Sequence, residues 1–131
     1  MARCVADDGK IGFFNKKGKV VLQPQFGWAS HFHDGLAAIC IGCREERIGD
    51  ARIVLGGKWG YINHKGEIVI NPRFDYAFGF EKGRAEVCVG CREEPMGEHS
   101  TVTGGKWAYV NRRDKVVTSF HLGLGHVMFD R

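Results

Sequence analysis

Two Cys-x-x-Cys pairs, Cys40/Cys43 and Cys88/Cys91, have the type and spacing that could do chemistry in this chain. One such pair is half of a common zinc site, and two can complete a four-sulfur set. His99 follows the second pair and is a fifth candidate ligand. One zinc ion could be shared by Cys40, Cys43, Cys88 and Cys91, which requires the two segments to touch. Alternatively each segment binds its own ion, with His99 helping the second, although the first has Ala51 at that place. In an extended strand, residues three apart point to opposite faces, so the chain must turn between the two sulfurs. Gly42 and Gly90 make that turn easy. The plainer alternative is a glycine turn flanked by two reduced, partly buried thiols. A redox role is less expected, because the βαβ context of thioredoxin-like motifs is missing.

Other polar groups give less. His31 and His33 sit in "SHFHDG", but Gly79 and Glu81 take their places 48 residues on, so they read as turn residues at the surface. Asp7 and Asp8 read as solvated. No nucleophile elbow, P-loop or dinucleotide fingerprint occurs, and "GGKW" lacks the strand, glycine loop and helix of a phosphate cradle. No catalytic residue is expected, and the chain is not read as an enzyme.

The elements that must hold these residues come from a repeat. Residues 39–63, "ICIGCREERIGDARIVLGGKWGYIN", recur in register as 87–111, "VCVGCREEPMGEHSTVTGGKWAYVN". Lys10, Lys58 and Lys106 align 48 residues apart, as do Asn15, Asn63 and Asn111. Pro24 matches Pro72, Phe26 matches Phe74, Phe32 matches Phe80, and Gly35 matches Gly83. The third unit opens with "GGKWAYVNRRDKVV" and then diverges into "SFHLGLGHVMFDR". Terminal units of arrays are often atypical because they cap the stack. Within a unit, short runs rich in aromatic and β-branched residues flank "NKKG" or "NHKG", with Gly18 and Gly66 where a hairpin loop needs positive φ. Asp114 holds that place in the third unit. Pro24 and Pro72 are expected to end their strands, Ala85 to Val89 to form a further strand, and "YAFGF" to allow a short helical turn. The fold class expected is all-β: a tandem antiparallel β-hairpin repeat array in one domain, with units 10–57, 58–105 and a truncated 106–131.

Composition agrees and narrows the function. The 19 glycines against 3 prolines favour many tight turns over long helices. A formal charge of +4, spread among acids, argues against nucleic acid as a partner. No apolar run reaches membrane-spanning length and "MARCVADDGK" is not a signal peptide, so a cytoplasmic location is expected. In that reducing setting an odd count of five cysteines argues against a disulfide framework.

The phrase "GGKWGYINHKGEIVINPRFDYAFGFEKGRAEV" resembles the WG repeat family, whose units run Lys-Trp-Gly-Tyr-Ile, a turn, a β-branched strand with Pro, then Phe-x-x-Gly. The resemblance extends from Gly9 to about Val117. The chain departs from the pattern by inserting "CIGCREERIGDARIVL" and "CVGCREEPMGEHSTVT", by Ile11 in place of Trp, and by Ala108 in place of Gly. It implies a mostly bacterial, β-rich scaffold without an assigned activity, for which an interaction role is supposed. The expected function is therefore a non-catalytic scaffold whose inserted loops bind another protein. A structural zinc protein is the second reading and a small immunity or inhibitor protein the third. Trp59 and Trp107 are expected in the core, against Phe74, Phe80 and their counterparts. The short third unit suggests an exposed strand edge and hence a homodimer, unless the tail caps it.

Overall fold

The computed structural model describes residues 1–117, 121–122 and 126–128. Among them there is no helix, and the "YAFGF" stretch is a short strand followed by residues outside any helix or strand. Strands β1 (Ala2–Val5), β2 (Ile11–Phe14) and β3 (Val20–Phe26) form one antiparallel sheet. Strands β4 (Trp28–Ala29), β5 (Leu36–Ile48), β6 (Ala51–Asn63) and β7 (Ile68–Phe74) form the second. The third holds β8 (Tyr76–Ala77), β9 (Arg84–Val89), β12 (Lys106–Asn111) and β13 (His121–Leu122). The fourth holds β10 (Arg92–Met96), β11 (His99–Thr103) and β14 (His126–Met128).

The sheets are out of phase with the sequence repeat. Each central pairing joins the last strand of one unit to the first of the next: β5 with β6, and β9 with β12. A unit therefore cannot complete its own sheet, as expected for a stacked array. β1 pairs with the first strand of the first unit, Ala2–Val5 with Phe14–Ile11, through the tight turn at Gly9.

One Asn side chain shapes the turn that recurs in each of the three units. The Oδ1 of Asn63 accepts the N–H groups of Lys65 and Glu67, at 2.9 and 3.0 Å. Asn15 does the same for Lys17 and Lys19, and Asn111 for Arg113 and Lys115. This is the Asx-type turn, in which a short polar side chain mimics a backbone acceptor. It places the next residue in the left-handed region, which Gly18 (φ 80°), Gly66 (φ 81°) and Asp114 (φ 63°) occupy as expected.

The prolines do not end their strands. Pro24 and Pro72 lie inside β3 and β7, at an irregularity where the ladder shifts register, for example between Trp59↔Phe74 and Tyr61↔Ile70. A shift in register frees a residue from donating to the ladder, which is where Pro is tolerated inside a sheet.

The core follows the repeat. Trp59 is 2% exposed and Trp107 is fully buried. Trp59 lies opposite Phe74 in the ladder, but its ring contact is Tyr76, at 4.7 Å between centroids. Phe80 packs edge-on against Tyr61 instead, at 4.8 Å. In the first unit the large ring has changed places: Ile11 sits at the Trp position, and Trp28 stands where the second unit has Tyr76. Successive layers are tied by polar contacts. His33 Nδ1–H donates to the Phe80 carbonyl at 2.6 Å, Gly83 N–H to Asp34, and Arg73 holds Asp114 through both guanidinium nitrogens. His31 and His33 are exposed, as expected, and His31 meets Arg3.

Candidate functional site

The inserted segments are strands. Residues 40–48 and 51–57 extend the β5–β6 pair without a break in register, ending in a two-residue turn at Gly49 and Asp50. The second insertion repeats this as β10–β11, with its turn at Gly97 and Glu98. Gly49 (φ 62°) and Gly97 (φ 65°) supply the positive φ that such a short turn needs.

Between body and extension both strands of each hairpin kink at glycine. Gly42 (φ 80°) faces Gly57 (φ 70°), and Gly90 (φ 78°) faces Gly105 (φ 73°). The kink reverses the in–out alternation, so Cys40 and Cys43 come to the same buried face although they are three apart, and Cys88 and Cys91 do likewise. The turn expected between the sulfurs is thus present as a kink, inside β5 for the first pair and between β9 and β10 for the second. The Cα–Cα separation is 5.9 Å in both pairs, and each pair is joined as a disulfide. This corrects the inference from cysteine count: four of the five are paired locally, and Cys4 is free. Parity of the count was a poor guide because each disulfide closes over only three residues, leaving Cys4 outside the repeat. The reduced-thiol alternative is corrected for the same reason.

Cys40 and Cys88 are fully buried, and Cys43 and Cys91 are 8% exposed. Cys40 lies opposite Trp59, and Cys88 opposite Trp107, so each pair abuts the large ring of its layer. Among the described residues no group of three or more His, Cys, Asp or Glu side chains is placed to hold a metal ion. The two pairs share one hydrophobic cluster without forming a four-ligand set. His99 is exposed at the start of β11, and its counterpart Ala51 is fully buried.

Two acids hold this region together: Asp75, which the sequence did not single out, and Glu93, whose place beside the cysteines reads in sequence as the solvated end of a hairpin. Asp75, the counterpart of Gly27, accepts the Gly90 N–H at 2.5 Å and pairs with Lys58 at 2.5 Å. Burial acts to raise its carboxyl, but the Lys58 hydrogen bond, the Gly90 N–H and the Lys58 charge outweigh it and hold the pKa below the usual Asp value. A lowered folded-state pKa means that the stabilisation is present above the ordinary carboxylate range and is lost as pH falls through the lowered value. Glu93, only 3% exposed, accepts the Val54 N–H of β6 at 2.7 Å and a hydrogen bond from Ser100 Oγ. It thereby ties the second hairpin to the first. Its counterpart Glu45 is exposed and lies 3.9 Å from Arg52. Glu93→Ala is expected to cost about 2 kcal/mol, since a buried N–H loses its acceptor. Glu45→Ala should stay within about 0.5 kcal/mol. Urea midpoints of the two variants check the contrast.

Tyr61 is buried with its O–H donating to the Phe78 carbonyl at 2.6 Å, and burial pushes its phenol well above the ordinary value. A depression of about 320 Å³ lies between Phe78, Lys82, Arg84, Glu86 and Tyr109, with the Arg84 guanidinium 4.4 Å above the Tyr109 ring. Its charges are mixed, and its lining holds no Ser, Cys or His to serve as nucleophile or imidazole base.

The family model described as "WG containing repeat" matches residues 11–42 and 59–90. Neither the search of curated proteins nor that of solved structures found a match.

Proposed function

Since the chain belongs to the WG repeat family, a family of repeat scaffolds not known as enzymes, we propose that it is a non-catalytic scaffold whose two hairpin ends together recognise another protein. The observation that carries this reading is the contrast between the body of the repeat and its tips. The two hairpins, residues 39–63 and 87–111, agree at buried positions such as Cys40/Cys88 and Trp59/Trp107. At the tips Arg47 faces Pro95, Ile48 faces Met96, and Asp50 faces Glu98 in the alignment. Each tip also exposes one large apolar side chain, Ile48 at 43% and Met96 at 44%, among charged neighbours. An apolar anchor ringed by polar groups is the usual anatomy of a protein contact.

Not every difference between units lies on the surface. Ala51 is buried and Phe78 packs against the core, so the Ala51/His99 and Ser30/Phe78 differences reflect packing as much as recognition. The tips carry the argument without them.

The test is capture from a cell extract by the immobilised full chain. Ile48→Asp with Met96→Asp should abolish capture of the partner while leaving circular dichroism unchanged. Val20→Asp with Val116→Asp, at exposed sites remote in sequence from the tips, should not. Undiminished capture by the tip variant would overturn the reading.

A further inference from the structure

The two disulfides lie in the same kink, but they are not braced alike. At the second, the Asp75 carboxylate accepts the N–H of Gly90, the residue between Cys88 and Cys91, and is itself held by Lys58. At the first, Gly27 stands in the place of Asp75 and has no side chain to hold Gly42. Gly27 cannot be exchanged for a longer residue, because a Cβ there would run into the carbonyl group of Cys43. The backbone bond is the same in both: Gly27 N–H donates to the Cys40 carbonyl and Asp75 N–H to that of Cys88, each at 2.9 Å. Burial is also the same, 0% for the first cysteine of each pair and 8% for the second. The carboxylate brace is a difference that acts directly on the glycine of the kink.

From this we propose that Cys40–Cys43 is a reversible thiol-exchange site for small thiols of the glutathione class, whereas Cys88–Cys91 is a lasting staple. Exchange begins at Cys43, the less buried residue of its pair. An external thiolate attacks Cys43 Sγ, forming a mixed disulfide there and releasing Cys40 as a thiolate, which takes up a proton. A second external thiolate displaces Cys43 from the mixed disulfide and leaves as the external disulfide, and Cys43 is then protonated. Two external thiols are oxidised to one disulfide, and the protein pair gains two electrons and two protons. Opening requires the kink at Gly42 to relax so that the sulfurs part. An N–H held by a charged acceptor resists that movement at Gly90. Because Cys40 faces Trp59 across the ladder and Trp28 on its other side, opening also loosens the contact between the first two layers.

The test equilibrates the intact chain in buffers of graded reduced-to-oxidised glutathione ratio, traps thiols by alkylation, and maps them by mass spectrometry of tryptic peptides. The two pairs fall in different peptides, since Lys19 and Arg44 bracket the first, and Arg84 and Arg92 the second. Cys40 and Cys43 should become labelled at a ratio about tenfold less reducing than Cys88 and Cys91, with trapped glutathione on Cys43. Asp75→Ala should bring the second pair to within about threefold of the first, whereas Lys58→Met, which keeps the Gly90 acceptor, should move it little. Simultaneous opening of both pairs in the unaltered chain would overturn the proposal. So would earlier opening of the second pair, glutathione on Cys40, or cysteines that resist alkylation until a metal chelator is added.

Discussion

Trp59→Ala is expected to lower stability by about 3–5 kcal/mol, the range for deleting a large aromatic side chain from a core. Trp59 is 2% exposed, faces Phe74 and Cys40 across its two ladders, and packs its ring on Tyr76. Deleting the indole leaves a cavity that none of these neighbours can fill, because each is fixed in a paired strand. The comparison with the first unit sharpens the expectation. There Ile11 is tolerated because Trp28 brings a large ring to the same layer from the neighbouring strand. A double variant, Trp59→Ile with Tyr76→Trp, copies that arrangement and should recover part of the loss. Chemical denaturation of the two variants beside the unaltered chain decides the matter. A midpoint for Trp59→Ala within error of the parent would place the ring outside the core, and a double variant weaker than Trp59→Ile alone would undo the exchange argument.

The second large effect is expected from the smallest possible change. Gly60→Ala should cost about 3 kcal/mol by overpacking. A Cβ on Gly60 would stand 2.7 Å from the Pro72 nitrogen and closer still to the Ile70 carbonyl oxygen. Both are backbone atoms of the shifted stretch of β7, so no side chain can swing aside. Gly12 is in the same position against Leu22 and Pro24, and Gly12→Ala should behave alike. The third unit carries Ala108, and its ladder is different: Trp107 pairs with His121, so the step from Val116 to His121 is one residue shorter than that from Ile68 to Phe74. A thermal melt of Gly60→Ala that matches the parent would show that the β7 irregularity is loose enough to absorb a methyl group.

The sequence itself determined the repeat, the β character and the turns. Those follow from local chemistry repeated at a fixed spacing: a glycine or Asp at positive φ after each Asn turn, and alternating β-branched and aromatic residues on either side. The burial of Trp59 and Trp107 was legible for the same reason, since large rings recurring at one place in each unit have to be covered. The sequence also marked Cys40, Cys43, Cys88 and Cys91 as a group, and Gly42 and Gly90 as the residues that let each pair meet.

Tertiary structure decided where those groups sit relative to one another. Whether the paired sulfurs meet each other or a shared ion depends on how two hairpins lie side by side, and nothing in the local spacing sets that distance. The facing glycines, Gly42 with Gly57 and Gly90 with Gly105, kink both strands at once, and pairing across a hairpin cannot be read from either strand alone. Glu93 and Asp75 looked like ordinary surface acids because their acceptor roles are filled by N–H groups far along the chain, at Val54 and Gly90. Part of the tail's role also came from tertiary pairing: β13 joins β12 and β14 joins β11, while residues 118–120, 123–125 and 129–131 lie outside the described residues. The same unit sequence is thus exposed at Glu45 and buried at Glu93, because only Glu93 accepts the Val54 N–H of the other hairpin.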